Sequence, residues 1–122
     1  MGYQLMIGHQ VEIAFSTTKL RKDCNDDARM IRRYGPLRAK LLRRRLDEIR
    51  AADNLGVLRM LPQARCHQLH GDRAEQLSVD LDHPYRLIFA VADAPVPRKA
   101  DGGLDWNVVT AVEVLEIGDT HE

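Results

Sequence analysis

The chain has 122 residues, 44% of them apolar, which is enough to bury one core and too apolar for global disorder, so residues 1–122 are read as a single domain. Its apolar runs fall far short of the roughly 20 residues that cross a bilayer, and the start, MGYQLMIGHQ, lacks a signal peptide's basic and apolar regions, so a cytoplasmic protein with reduced Cys24 and Cys66 is expected. Net charge is zero but unevenly placed: residues 1–62 carry 13 Lys/Arg against 7 Asp/Glu, and residues 63–122 carry 5 against 11. A basic half suits RNA or an acidic partner, or is simply a solvated helix surface.

Residues 1–9 are read as a poorly ordered extension of the domain. Val11–Phe15 is a short β-rich run. Ser16 is placed to cap a helix over Thr17–Cys24, and Asp26 to cap the next. The helical stretch Thr17–Tyr34 is therefore expected to break near Asn25. Gly35 offers a left-handed stop, and Pro36 suits the first position of a new helix. From Leu37 to Ala52 the period is helical, with Leu42, Leu46 and Ile49 centring one face and Arg45 interrupting it. Asn54–Leu61 adds a short turn. The period then changes. Cys66–His70 is strand-like, and Leu77, Val79 and Leu81 alternate with polar neighbours over Gln76–Leu81. Tyr85–Val91 is apolar on both faces except at Arg86, as in a central strand. Residues 92–107 hold Pro95, Pro97, Gly102 and Gly103. They read as a long, mobile loop without regular pairing, with Trp106 as its anchor. Val108–Ile117 is the last strand. Helices followed by strands imply an α+β fold, with the helices on one face of the sheet.

The candidate chemistry lies in 65–89. Arg86 in an apolar strand is costly unless it faces an open surface or pairs with an acid. It is either a phosphate clamp or the structural partner of Asp80 or Glu113. His67 and His70, three apart, cannot share a strand face. Cys66 and His67 point to opposite faces, which rejects a thiolate–imidazole pair. The set Cys66, His67, His70 and His83 fits no standard metal-ligand spacing. Phosphodiester chemistry needs a proton acceptor, a proton donor and fixed positive charge, and imidazoles and guanidiniums supply these.

The stretch His67-Gln68-Leu69-His70-Gly71-Asp72-Arg73 resembles the HPLKGDR segment of HigB-like toxins in the RelE/ParE superfamily. The resemblance continues through Leu77–Leu81 and His83–Phe89, through the DGGLDW at 101–106, and to Asp119-Thr120-His121, which is similar to a DYH ending. It implies a RelE-like fold: an N-terminal strand and two main helices on one face of a mostly antiparallel sheet of four to five strands. It also implies a ribosome-dependent mRNA endoribonuclease in which the RNA 2′-hydroxyl is the nucleophile, so that no cofactor or metal is required. By position, His67 is the implied general base, and Arg73 and Arg86 are the phosphate contacts. Asp119 and His121 are the acidic and imidazole members of the C-terminal motif, with His121 as acid or charge stabiliser. Arg65, two residues before His67, is read as a further phosphate ligand. His70 and Thr120 occupy substrate-binding positions, but they replace the family's lysine and its stacking tyrosine. The implied partners are a helix-turn-helix antitoxin, the ribosome with its mRNA, and operator DNA only through the antitoxin. No membrane is involved. The competing expectation is a ParE-like gyrase-poisoning protein, or a degenerate toxin that only binds.

Overall fold

A computed structural model describes residues 10–119; residues 1–9 and 120–122 lie outside them. The elements follow as β1 (Glu12–Phe15), α1 (Thr18–Cys24), α2 (Asp27–Tyr34), α3 (Pro36–Ala51), α4 (Leu55–Arg59), β2 (His67–Gln68), β3 (Gln76–Asp80), β4 (Tyr85–Val91) and β5 (Ala111–Asp119). The sheet order is β1-β5-β4-β3-β2. β1 runs parallel to β5, and every other pairing is antiparallel.

Local chemistry explains most boundaries. Thr17, rather than Ser16, caps α1: its hydroxyl accepts from Leu20 N at 3.1 Å. Asp26 caps α2 by accepting from Arg29 N at 3.1 Å. Gly35, at φ 83°, joins α2 to α3, a backbone that few side chains tolerate, and Pro36 opens α3. β2 is shorter than the expected Cys66–His70, because Arg65 at φ 47° breaks the extended backbone before it and a 3-10 turn, Gly71–Arg73, follows soon after. β5 begins at Ala111 rather than Val108, because Trp106–Val108 forms another 3-10 turn.

The helices fill one side of the sheet. Met30, Leu42, Leu46, Ile49, Leu55 and Leu58 join Leu77, Val79, Leu87, Phe89, Val112 and Val114 in one buried cluster. Among the described residues no helix packs on the other face. The 92–107 loop is tied down more than its prolines and glycines suggested. Arg98 and Leu104 form an isolated antiparallel bridge, and Leu104 is buried. The Asp93 carboxylate accepts from Thr110 N, Thr110 Oγ1 and Ala111 N at the loop's neck. Trp106 anchors the loop against the core, with the Arg59 guanidinium 4.4 Å from its ring centroid.

Arg45, the flaw in the apolar stripe of α3, is a buried clamp. Its Nε donates to Asp80 O at 2.7 Å, its Nη2 to Gln63 O at 2.9 Å, and its Nη1 to Glu48 Oε1 at 3.2 Å. It thus ties α3 to the end of β3. Arg45→Met would take a donor from two carbonyls and the cation from the half-buried Glu48 carboxylate, which would keep only its contact to Gln63 Nε2 among the described residues. The expected loss is about 3–5 kcal/mol of unfolding free energy, read as a lower urea midpoint.

Candidate active site on the sheet face away from the helices

Directly opposed residues of neighbouring strands project to the same side of a sheet. Leu77, Val79, Leu87 and Phe89 point to the helices, so their neighbours Gln76, Ser78, Asp80, Arg86, Ile88 and Ala90 face away. His67 pairs with Ser78 and therefore shares that outward face. On β5, Glu116 lies opposite Ile88 and Gly118 opposite Arg86. A β-bulge sets this register: Phe89 pairs with Val114, which leaves Leu115 as the extra residue. Without the bulge, Glu116 would follow Val112 and Val114 inward. With it, Glu116 is turned out.

The result is a row, His67–Ser78–Ile88–Glu116, running across four strands. Leu69 and Ile88 are buried on this face, outside the main cluster, and form a small apolar floor. His67 Nδ1 lies 3.0 Å from Arg65 O. A carbonyl can only accept, so this contact places the proton of the neutral ring on Nδ1 and leaves the Nε2 lone pair as a base. Arg73 reaches over the face from the 3-10 turn. Its Nη1 is 2.9 Å from Glu116 Oε1 and 2.8 Å from Gln76 Oε1. Arg65 Nε is 3.1 Å from Asp80 Oδ2. Arg86 Nε is 3.8 Å from Asp80 Oδ1, and the side chain keeps 26% of its exposure. Arg86 Nη1 and Ser78 Oγ are buried and find no hydrogen-bond partner among the described residues.

Four of the residues singled out in the sequence, Arg65, His67, Arg73 and Arg86, thus share one surface. Arg86 lies away from the helices, and of its two anticipated acidic partners it takes Asp80. His70 sits beside the group as the residue before the 3-10 turn. Asp119 pairs with Tyr85, whose ring packs on the core side, so alternation sends it to the other side of the sheet from Arg86. Strand alternation thus sets Asp119 apart from the cluster, while Thr120 and His121 lie outside the described residues. Sequence reading passed over Glu116 and Gln76, the two partners of Arg73. Strand alternation would have found Gln76, which shares a face with Ser78 and Asp80. It would have missed Glu116, because nothing in the residues announces the bulge.

Both cysteines are free and buried. Burial pushes the Cys66 thiol up to about 12 and the Cys24 thiol up to about 11, the latter with help from the neighbouring Asp23 carboxylate. Neither is a nucleophile at neutral pH. In folded protein at pH 8, iodoacetamide should leave both unmodified, and unfolding in urea should release both. Rapid labelling of the folded chain would contradict their burial. Among the described residues no group of three or more His, Cys, Asp or Glu is placed to hold a metal ion.

A model of the HigB-like toxins, described as the RelE-like toxin of the type II toxin–antitoxin system HigB, matches residues 14–99. No curated protein and no solved structure matches the chain. The matched segment is well over half of the chain. It runs from β1 through β4 and includes Arg65, His67, His70, Arg73 and Arg86. The α+β architecture, a mixed five-stranded sheet with several helices, agrees with it. This chain therefore belongs to the HigB-like family, the RelE-like toxins of type II toxin–antitoxin systems.

Proposed function

We propose that the chain is a ribosome-dependent mRNA endoribonuclease that arrests translation. One observation carries this reading: an imidazole held through Nδ1 by a backbone carbonyl shares the face away from the helices with three guanidiniums. The family's toxins are generally ribonucleases. The chemistry follows from the residues. His67 Nε2 takes the proton of an RNA 2′-hydroxyl as that oxygen attacks the adjacent phosphorus. Arg73 and Arg86, with Arg65 beside them, balance the charge that builds on the phosphate oxygens. The P–O5′ bond breaks and leaves a 2′,3′-cyclic phosphate. The departing 5′-oxygen takes a proton, for which His121 is the proposed donor. His70 and Thr120 are the proposed substrate-binding residues. Thr120 offers no stacking ring, and His70 offers a titratable charge where a lysine would be fixed.

A type II toxin implies a cognate antitoxin. We read that antitoxin as a helix-turn-helix protein, through which alone this chain would reach operator DNA. The ribosome and its mRNA are the proposed targets, which places the protein in the cytoplasm. Among the described residues no helix is long and apolar enough to cross a membrane.

Primer extension on an mRNA held in purified ribosomes tests the activity. A new 5′ end within the A-site codon is expected, and none on the same mRNA without ribosomes. No cut in either case would remove the reading.

A further inference from the structure

The guanidiniums of the face away from the helices are already matched to carboxylates of the same face. The two oxygens of Asp80 divide between Arg65 and Arg86, at 3.1 Å and 3.8 Å. Glu116 meets Arg73 at 2.9 Å. A carboxylate set between two guanidiniums presents the same pair of anionic oxygens that a phosphodiester would present. Asp80 cannot leave this place with its strand. Its backbone N–H donates to Ala64 O at 2.8 Å, and its carbonyl accepts from the buried Arg45. Only its side chain can turn aside. Its fit to Arg86 is also incomplete, because the 3.8 Å contact is too long for a hydrogen bond and Nη1 is buried without an acceptor among the described residues.

We infer that Asp80 is a specificity-determining residue of this site: its carboxylate stands where the RNA phosphate must go, holds Arg65 and Arg86 ready, and repels RNA that nothing else holds in place. The inference rests on the ribonuclease reading above. Two anions that compete for the same guanidiniums repel each other across a few ångströms. Free RNA must overcome that repulsion by itself. An mRNA strand already fixed by the ribosome is delivered to the site at high effective concentration, and the Asp80 carboxylate yields to it. Asp80 thereby favours ribosome-held RNA over free RNA. Glu116 does the same for Arg73, with Gln76 keeping that guanidinium in position when the acid turns away.

The test is binding of a short single-stranded 2′-O-methyl RNA, which lacks the nucleophile and cannot be cut, by fluorescence anisotropy. Asp80→Asn should bind it about tenfold more tightly than wild type, because one competing charge is gone. Its affinity should also fall more steeply with salt, because more phosphate contacts release counterions. A purely structural role for Asp80 would produce neither change. Glu116→Gln provides a second reading at the other end of the face and should tighten binding in the same direction, including where Asp80→Asn does not fold. Equal, weaker or absent binding by the folded variants overturns the inference. Failure here would leave wild-type cleavage of ribosome-bound mRNA intact, whereas failure of the ribonuclease reading would show as no cleavage by wild type.

Discussion

His67→Gln is expected to abolish growth arrest while leaving the protein folded and able to bind its antitoxin. Glutamine fills similar space and can still donate to Arg65 O, but it has no lone pair basic enough to take the 2′-hydroxyl proton. Losing a positioned general base costs about 10²–10⁴ in rate. His67 sits on the two-residue edge strand β2, outside the buried cluster, so its removal should hardly move the melting temperature. Cleavage of ribosome-bound mRNA at the wild-type rate by this variant would exclude His67 as the base.

Arg86→Ala should be equally silent for a different reason. It removes the cation set in the central strand, and losing one fixed stabiliser of an oxyanion costs about 10²–10³ in rate. The fold should tolerate the change. The pair with Asp80 is long and partly exposed, and such pairs contribute little stability. Asp80 also keeps Arg65. Arg86→Lys should restore only part of the activity, because an ammonium carries the charge without the planar fork. A rate loss with an unchanged urea midpoint is the expected pattern. A large fall in stability would instead assign Arg86 to the structural role that its sequence position also allowed.

Much of this molecule is legible in its residues because local chemistry and packing agree. Leu77 and Val79 alternate with the polar Gln76, Ser78 and Asp80 and form a strand whose apolar face meets the helices. Pro36 after Gly35 fixes the start of the long helix. The anomaly at Arg86 marks the side of the sheet away from the helices, because a guanidinium in an apolar strand has few places to go. The misses have physical causes too. Thr17 and Ser16 are equivalent as caps in composition, and only backbone direction separates them. Arg45 looked like a blemish because its acceptors are backbone carbonyls of distant residues, which no periodicity reveals. Residues 92–107 looked unpaired because Pro and Gly say nothing of the anchors that Asp93 and Trp106 supply from the loop's ends. The acids of the site were the least visible. Asp80 was read only as a structural partner, and Glu116 faces the site through a one-residue bulge that reverses its strand's alternation.

The central claim is that the sheet face away from the helices cuts RNA, and mapping mRNA 5′ ends in cells that express the chain without its antitoxin tests it most directly. With wild type, growth should stop and new ends should accumulate within translated codons. With Arg86→Ala at equal abundance, growth should continue and the ends should be missing. If both proteins arrest growth equally and no new mRNA ends appear, the ribonuclease account is wrong, and a toxin that acts by binding a protein target takes its place.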